Sequence, residues 1–138
     1  MAEINQLYDD VMLDHIRNAR NYRWIEDADV SAKRFNPLCG DELTVYLRLA
    51  GETIHDIAFQ CSCCGISMAS ASMMTEQVKG KPRAQAQAIV RAFRERLRES
   101  HDVSPDDLAV LYAVRDFPTR KDCAGLAWDA LAEALQRT

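Results

Sequence analysis

All five cysteines of this chain fall in three short stretches: position 39, positions 61–64 and position 123. The surroundings read NPLCGDE, FQCSCCGISMAS and FPTRKDCAGLAW. A core strand does not need sulfur packed as densely as in the middle stretch, and a solvent loop should avoid it. An odd number of thiols argues against a disulfide framework and for metal binding or reactive-thiol chemistry. The fold is therefore constrained by one question: whether three segments distant in sequence meet at a point.

The local patterns suggest how they could. INQLYDDVMLDHIRNAR places Ile4, Leu7, Tyr8, Val11 and His15 on one face of a helix. His15 on that face reads as a packed, hydrogen-bonded histidine and not as a ligand. ELTVYLRLA alternates, with Leu43, Val45, Leu47 and Leu49 on one side and Thr44, Tyr46 and Arg48 on the other, the mark of a half-buried strand. Gly51 and Glu52 form a turn, TIHDIAFQ returns as the second strand of a hairpin, and DVSAKRF adds a third strand before Asn36 and Pro37.

Helices follow. ISMASASMMTEQVKG predicts a helix ending at Lys79, with Gly80 as its stop and Pro82 beyond. Its first turns are almost all small residues, which let a helix lie close to its neighbours. RAQAQAIVRAFRERLRES predicts another helix, with Ile89, Phe93 and Leu97 inward and a solvated arginine-rich face. SPDDLAVLYAV carries helix-start signals: Ser104 to cap, Pro105 for the first position, and Asp106 and Asp107 at the positive end. Pro118 is expected to break the chain, and CAGLAWDALAEALQR to close it as an amphipathic helix. The order predicts an α+β fold over 1–138, one domain whose small antiparallel sheet of about three strands is covered on one face by helices.

The thiols then acquire addresses. Cys39 and Asp41 flank Gly40, so in an extended segment both side chains face the same way, and the glycine lets the backbone bend around what they hold. Cys64 stands directly before the small-residue helix, where unpaired N–H groups favour negative charge. Cys123 is expected in the same kind of position before the last helix. Three cysteines and one aspartate are a donor set that zinc or iron accepts. Ionised, they place a formal charge of about −4 around a +2 ion, which requires a cation such as Arg120 or backbone donors nearby. No histidine stands at metal-ligand spacing from a cysteine or another histidine: His55 falls in the hairpin and His101 in a loop.

Other classes are disfavoured. The net charge is −4, which gives no general affinity for nucleic acid. The start, MAEINQLYDD, is acidic and lacks an apolar run, so no signal peptide is expected, and no stretch is long and apolar enough to span a bilayer. The expected compartment is the cytoplasm, where thiols stay reduced.

The segments LYDDVMLDHIRNARN, NPLCGDE, CCGISMASASMMTEQVKGK and FPTRKDCAGLAW, in this order, cover most of the chain. In them the sequence resembles the SufU-type members of the IscU/NifU N-terminal superfamily, proteins of iron–sulfur cluster assembly. The resemblance implies an IscU-like fold, and Cys39, Asp41, Cys64 and Cys123 as ligands of a metal or cluster. It implies a zinc-dependent acceptor of sulfur from a cysteine desulfurase of the SufS kind, passing it on to iron–sulfur scaffold proteins. In that scheme a desulfurase histidine takes one coordination place, Cys39 is freed to accept sulfur, and Arg120 steers the anionic sulfur. The alternative is a scaffold that assembles a [2Fe–2S] cluster on the same four residues. Scaffolds usually carry histidine immediately before the last cysteine; here that residue is Asp122, and a longer stretch precedes it, as in the SufU branch.

The chain departs from the family in the middle stretch. Glycines are usual where Cys61 and Cys63 stand, in a pattern like F-x-G-x-G-C. If the backbone there needs positive φ, a cysteine costs about 1–2 kcal/mol. Three readings stay open: Cys63 replaces Cys64 as ligand, Cys61 is a second sulfur acceptor, or both are tolerated small residues.

Overall fold

The computed structural model describes residues 2–37, 40–98 and 118–138, and their side chains except those of 2–9, 98 and 118–121. The helix expected at SPDDLAVLYAV lies outside them. The described elements are α1 (Ala2–Arg17), β1 (Val30–Asn36), β2 (Asp41–Ala50), β3 (Thr53–Ser62), α2 (Gly65–Val78), α3 (Arg83–Arg98) and α4 (Pro118–Gln136). The architecture is α+β: a three-stranded antiparallel sheet in the order β1-β2-β3, with the helices on one face.

The alternation in β2 sets the sheet's orientation. Leu43, Val45 and Leu47 are buried and face the helices, while Thr44 and Tyr46 are half-buried on the opposite side. Gly51, at φ 62°, turns the chain into β3, where Ile57 and Phe59 pair with Leu47 and Val45 on the inner face. The ladder runs on to Ser62, two residues past the expected strand end, so Cys61 is a strand residue. Among the described residues only Asn21 combines positive φ with a side chain. Cys61 and Cys63 therefore carry no left-handed strain, and the cost anticipated for replacing glycine there does not arise.

Helix α2 explains its own composition. Ala69, Ser70, Ala71 and Ser72 are all buried, packed between the sheet, α1 and α4. Side chains this short admit neighbours on every side, and the serine hydroxyls find partners. His15 Nδ1 lies 2.7 Å from Ser72 Oγ, so His15 is packed and hydrogen-bonded as expected. The Arg20 N–H also donates to Ser72 Oγ. Ser70 Oγ donates to the Ala124 carbonyl at 2.5 Å and accepts from Trp128 Nε1 at 2.9 Å. Gly80, at φ 80°, ends this region as expected.

On α3 the buried residues are Ala86, Val90, Phe93 and Leu97. Ile89, expected inward, is only partly buried, because the seam runs through Val90 instead. Phe93 stacks on Trp128 of α4, with ring centroids 4.0 Å apart. The loop after α1 is fastened by Arg23, which bonds Asp56 at 2.5 Å, joined there by Lys79. Burial raises the Asp56 pKa, but the hydrogen bonds and charges of Arg23 and Lys79 outweigh it and hold the carboxyl below its usual range.

Helix α4 starts earlier than the sequence predicts. Pro118 opens the helix, which its fixed φ and missing N–H allow at a first position. Cys123 therefore lies in the second turn, not before the helix, and it is buried. No described helix is long and apolar enough to cross a membrane.

Candidate metal centre

One end of the sheet gathers the chemistry. Asp41 is the first residue of β2 and is 5% exposed. It follows Gly40, whose φ of 73° and N–H bond to the Asn36 carbonyl at 2.8 Å turn β1 into β2. Cys64 caps α2: its backbone is extended (φ −73°, ψ 169°), and its sulfur accepts from the Ser67 N–H at 3.5 Å. Cys123 reaches the same place from the second turn of α4. Atoms able to ligate a metal on Asp41, Cys64 and Cys123 all lie within 4.8 Å of one another.

This geometry suits a small divalent ion. Tetrahedral zinc, with bonds of about 2.3 Å to sulfur and 2.0–2.2 Å to oxygen, sets neighbouring ligands about 3.5–3.8 Å apart. The three groups therefore lie no more than about an ångström beyond that spacing. Two sulfurs and a carboxylate are soft and hard donors of the kind zinc and iron accept together.

Ser67 holds the arrangement. Its hydroxyl is 2.7 Å from Asp41 Oδ2, 3.1 Å from the Cys123 carbonyl and 3.5 Å from Cys64 Sγ. A hydroxyl has one proton, and the shorter contact to a charged carboxylate takes it. The other carboxylate oxygen, Oδ1, accepts from the Cys64 N–H at 3.1 Å. Asp41 is thereby oriented by two donors from the start of α2, and the helix terminus places partial positive charge beside the sulfur. These groups supply part of the compensation that three anionic donors gathered here demand.

Of the residues singled out from sequence, the structure brings Asp41, Cys64 and Cys123 together. Cys39 lies outside the described residues. Arg120 falls in the first turn of α4, three residues before Cys123, and its side chain is outside the described set. Ser67 was missed: its N–H meets Cys64 Sγ three residues back, but nothing local marks that its hydroxyl reaches Asp41.

Cys61 and Cys63 are joined in a disulfide across a sequence separation of 2. A loop that short constrains the unfolded chain much less than a long one and ties no distant segments together, so the bond is no structural framework. With Cys63 paired to Cys61, Cys64 is the cysteine of this stretch that joins the triad.

A sheet bearing thiols and a carboxylate at its helix-covered end defines an α+β protein built to hold a metal-type centre between a strand entrance and two helices. Comparison with known proteins narrows this. Residues 7–137 match the family described as NifU-like N terminal domain, and the chain belongs to that family.

Among curated relatives, the zinc-dependent sulfurtransferase SufU of Bacillus subtilis is 37% identical over 99% of this chain and 94% of its own length. The iron–sulfur cluster assembly scaffold protein IscU of Streptococcus pyogenes is 33% identical over 100% of this chain and 88% of its own. Among solved structures, the Fervidobacterium islandicum protein described as an iron–sulfur cluster assembly scaffold for the SUF system superposes with a TM-score of 0.82 at 29% identity. That match covers 91% of this chain and 94% of that one. The NifU-like N-terminal protein of Brucella abortus gives 0.86 at 26% identity, over 97% and 95%.

Proposed function

We propose that this chain serves iron–sulfur cluster assembly in the cytoplasm as a zinc-dependent acceptor of sulfur from a cysteine desulfurase. The observation that carries the reading is the convergence of Asp41, Cys64 and Cys123, from three separate segments, within 4.8 Å. The likeness to a zinc-dependent sulfurtransferase over nearly the whole chain supports it. Cys39, two residues before Asp41 in sequence, completes the proposed ligand set.

Zinc, when bound, holds the cysteines as thiolates while damping their nucleophilicity. The chain's own residues then make one sulfur exchangeable. Ser67 and the Cys64 N–H fix Asp41, and α2 fixes Cys64. Cys123 is fixed by the buried second turn of α4. Cys39 falls in sequence between the end of β1 at Asn36 and the start of β2 at Asp41, and it is the ligand assigned to leave. With zinc bound, Asp41, Cys64 and Cys123 would keep it, and a desulfurase histidine would be the donor able to stand in for Cys39. The released Cys39 thiolate attacks the outer sulfur of the partner's cysteine persulfide and leaves with it, and the partner keeps a thiolate. Arg120 meets the anionic sulfur at contact. Iron–sulfur scaffold proteins receive the sulfur afterwards.

The test is a desulfurase assay with and without the protein, after its metal has been counted. Colourless protein with about one zinc per chain and a raised rate of alanine formation is the expected result. Brown protein with iron and sulfide, purified without air, would replace the reading by the scaffold one, which the likeness to IscU scaffolds favours. Metal-loaded protein that leaves the desulfurase rate unchanged would overturn sulfur acceptance.

Ser67→Ala gives a second check. It removes the hydroxyl that orients Asp41 without touching a ligand atom. Loss of such an outer partner is expected to weaken zinc binding about 10- to 100-fold, read by competition with a chromophoric chelator. Unchanged affinity would mean that the Cys64 N–H alone positions Asp41.

A further inference from the structure

The thiols left over by this function are Cys61 and Cys63. Both are partly exposed, and their Cα atoms lie 5.4 Å apart, inside the range a disulfide spans without moving the backbone. Their placement is specific. In the β2–β3 ladder Leu43 pairs with Cys61 and Glu42 with Ser62. The ladder ends at that pair, so Cys63 is the first residue past the strand, bonded back to Cys61. Leu43 and Asp41 are both buried on the helix-covered side, so the pair sits on the face of the sheet that carries the metal centre. Cys61 packs against the core at that end, and Cys63 is the residue before Cys64. A bond between the two thiols can thus form and open at the rim of the site while the ladder stays in place.

We propose that Cys61 and Cys63 are a redox-active dithiol that reduces sulfane sulfur arriving at this site and releases it as sulfide. This rests on the reading that persulfide sulfur is brought here. In the first step the sulfur of Cys63 takes the outer sulfur from a donor persulfide, R–S–SH. The donor leaves as R–SH and Cys63 becomes Cys63–S–SH. In the second step the thiol of Cys61 attacks the inner sulfur of that persulfide. The bond between the two sulfurs of the persulfide breaks, hydrogen sulfide departs with the Cys61 proton, and the Cys61–Cys63 disulfide remains. Two thiols are oxidised to one disulfide, and one sulfane sulfur is reduced to sulfide. A dithiol reductant resets the pair. In a reducing compartment, disulfides that do form are usually transient and catalytic or redox-sensing, as this cycle requires.

The experiment uses the full chain, reduced and then freed of reductant, with glutathione persulfide as donor and no desulfurase present. Released sulfide is assayed, and the tryptic peptide spanning 61–64 is weighed. The expected result is about one sulfide per chain, with loss of two hydrogen masses from that peptide. Cys61→Ser is expected to cut sulfide release about tenfold and to leave one extra sulfur mass on Cys63; Cys63→Ser is expected to cut it as far with no extra sulfur. Wild-type protein that consumes the donor without forming the Cys61–Cys63 bond overturns the proposal, whatever the variants do. So does a Cys61→Ser, Cys63→Ser double variant that releases sulfide as fast as wild type. A parallel desulfurase assay on the wild-type chain keeps the two readings apart. Dithiol-dependent sulfide from glutathione persulfide without desulfurase stimulation sinks acceptance from that partner and leaves the dithiol standing. Stimulation without dithiol-dependent sulfide does the reverse.

Discussion

Cys39→Ala is expected to bring desulfurase stimulation down to the rate measured without the protein, while the protein stays folded. The loss is expected to be total because the variant lacks the proposed nucleophile, and a buried thiol such as Cys123, 3% exposed, is badly placed to meet a partner's persulfide. The fold should survive because what closes the β1–β2 connection is backbone. The Gly40 N–H bonds the Asn36 carbonyl at 2.8 Å, and Asn36 pairs with Asp41 in the ladder. Mass spectrometry after exposure to the desulfurase should find one extra sulfur on the wild-type peptide carrying residue 39 and none on the variant's. A melting transition close to wild type shows that the loss is chemical. A variant that still accepts sulfur at the normal rate would move the acceptor to another thiol.

Trp128→Ala is expected to cost the most stability. Trp128 is fully buried, stacks on Phe93, and donates through Nε1 to Ser70, whose hydroxyl in turn bonds the Ala124 carbonyl. Truncation removes a large apolar surface, leaves a cavity between α3 and α4, and strips Ser70 of a donor. Core changes of this size cost about 3–5 kcal/mol, against a total of about 5–15 kcal/mol for an ordinary domain. Urea unfolding should show a midpoint lowered accordingly, with little change in slope. Trp128→Phe keeps an aromatic ring and loses the hydrogen bond, so it should cost far less. A loss below about 1 kcal/mol for the alanine variant would mean that the cavity collapses.

Much of this was legible in the sequence, for identifiable reasons. The β2–β3 hairpin follows from strict alternation on either side of Gly51. The position of Cys64 follows from the small-residue run after it, and the close of that region from Gly80. Asp41 was findable because only one glycine separates it from Cys39. Other features were hidden by ambiguity in local signals. Pro118 serves equally as a breaker and as an opener of helices, so local pattern puts Cys123 before α4 when it sits within it. Cys61 looks like loop because cysteine and serine carry little strand preference; pairing with β2, a tertiary fact, extends the strand to Ser62. Ile89 and Val90 are equally apolar, and only the position of α4 decides which one turns inward. Ser67 is hard to single out amid other serines that serve packing.

Helix α2 has a consequence for how the centre is lost. Of its residues only Glu76 is open to solvent, so the helix has almost no way to fray independently of its neighbours. Its amides should exchange with deuterium at the pace of global unfolding. The arrangement of Asp41 and Cys64 at its start is then coupled to whole-chain stability, and damage at the far end of the helix, near Val78, is expected to reach the site as well.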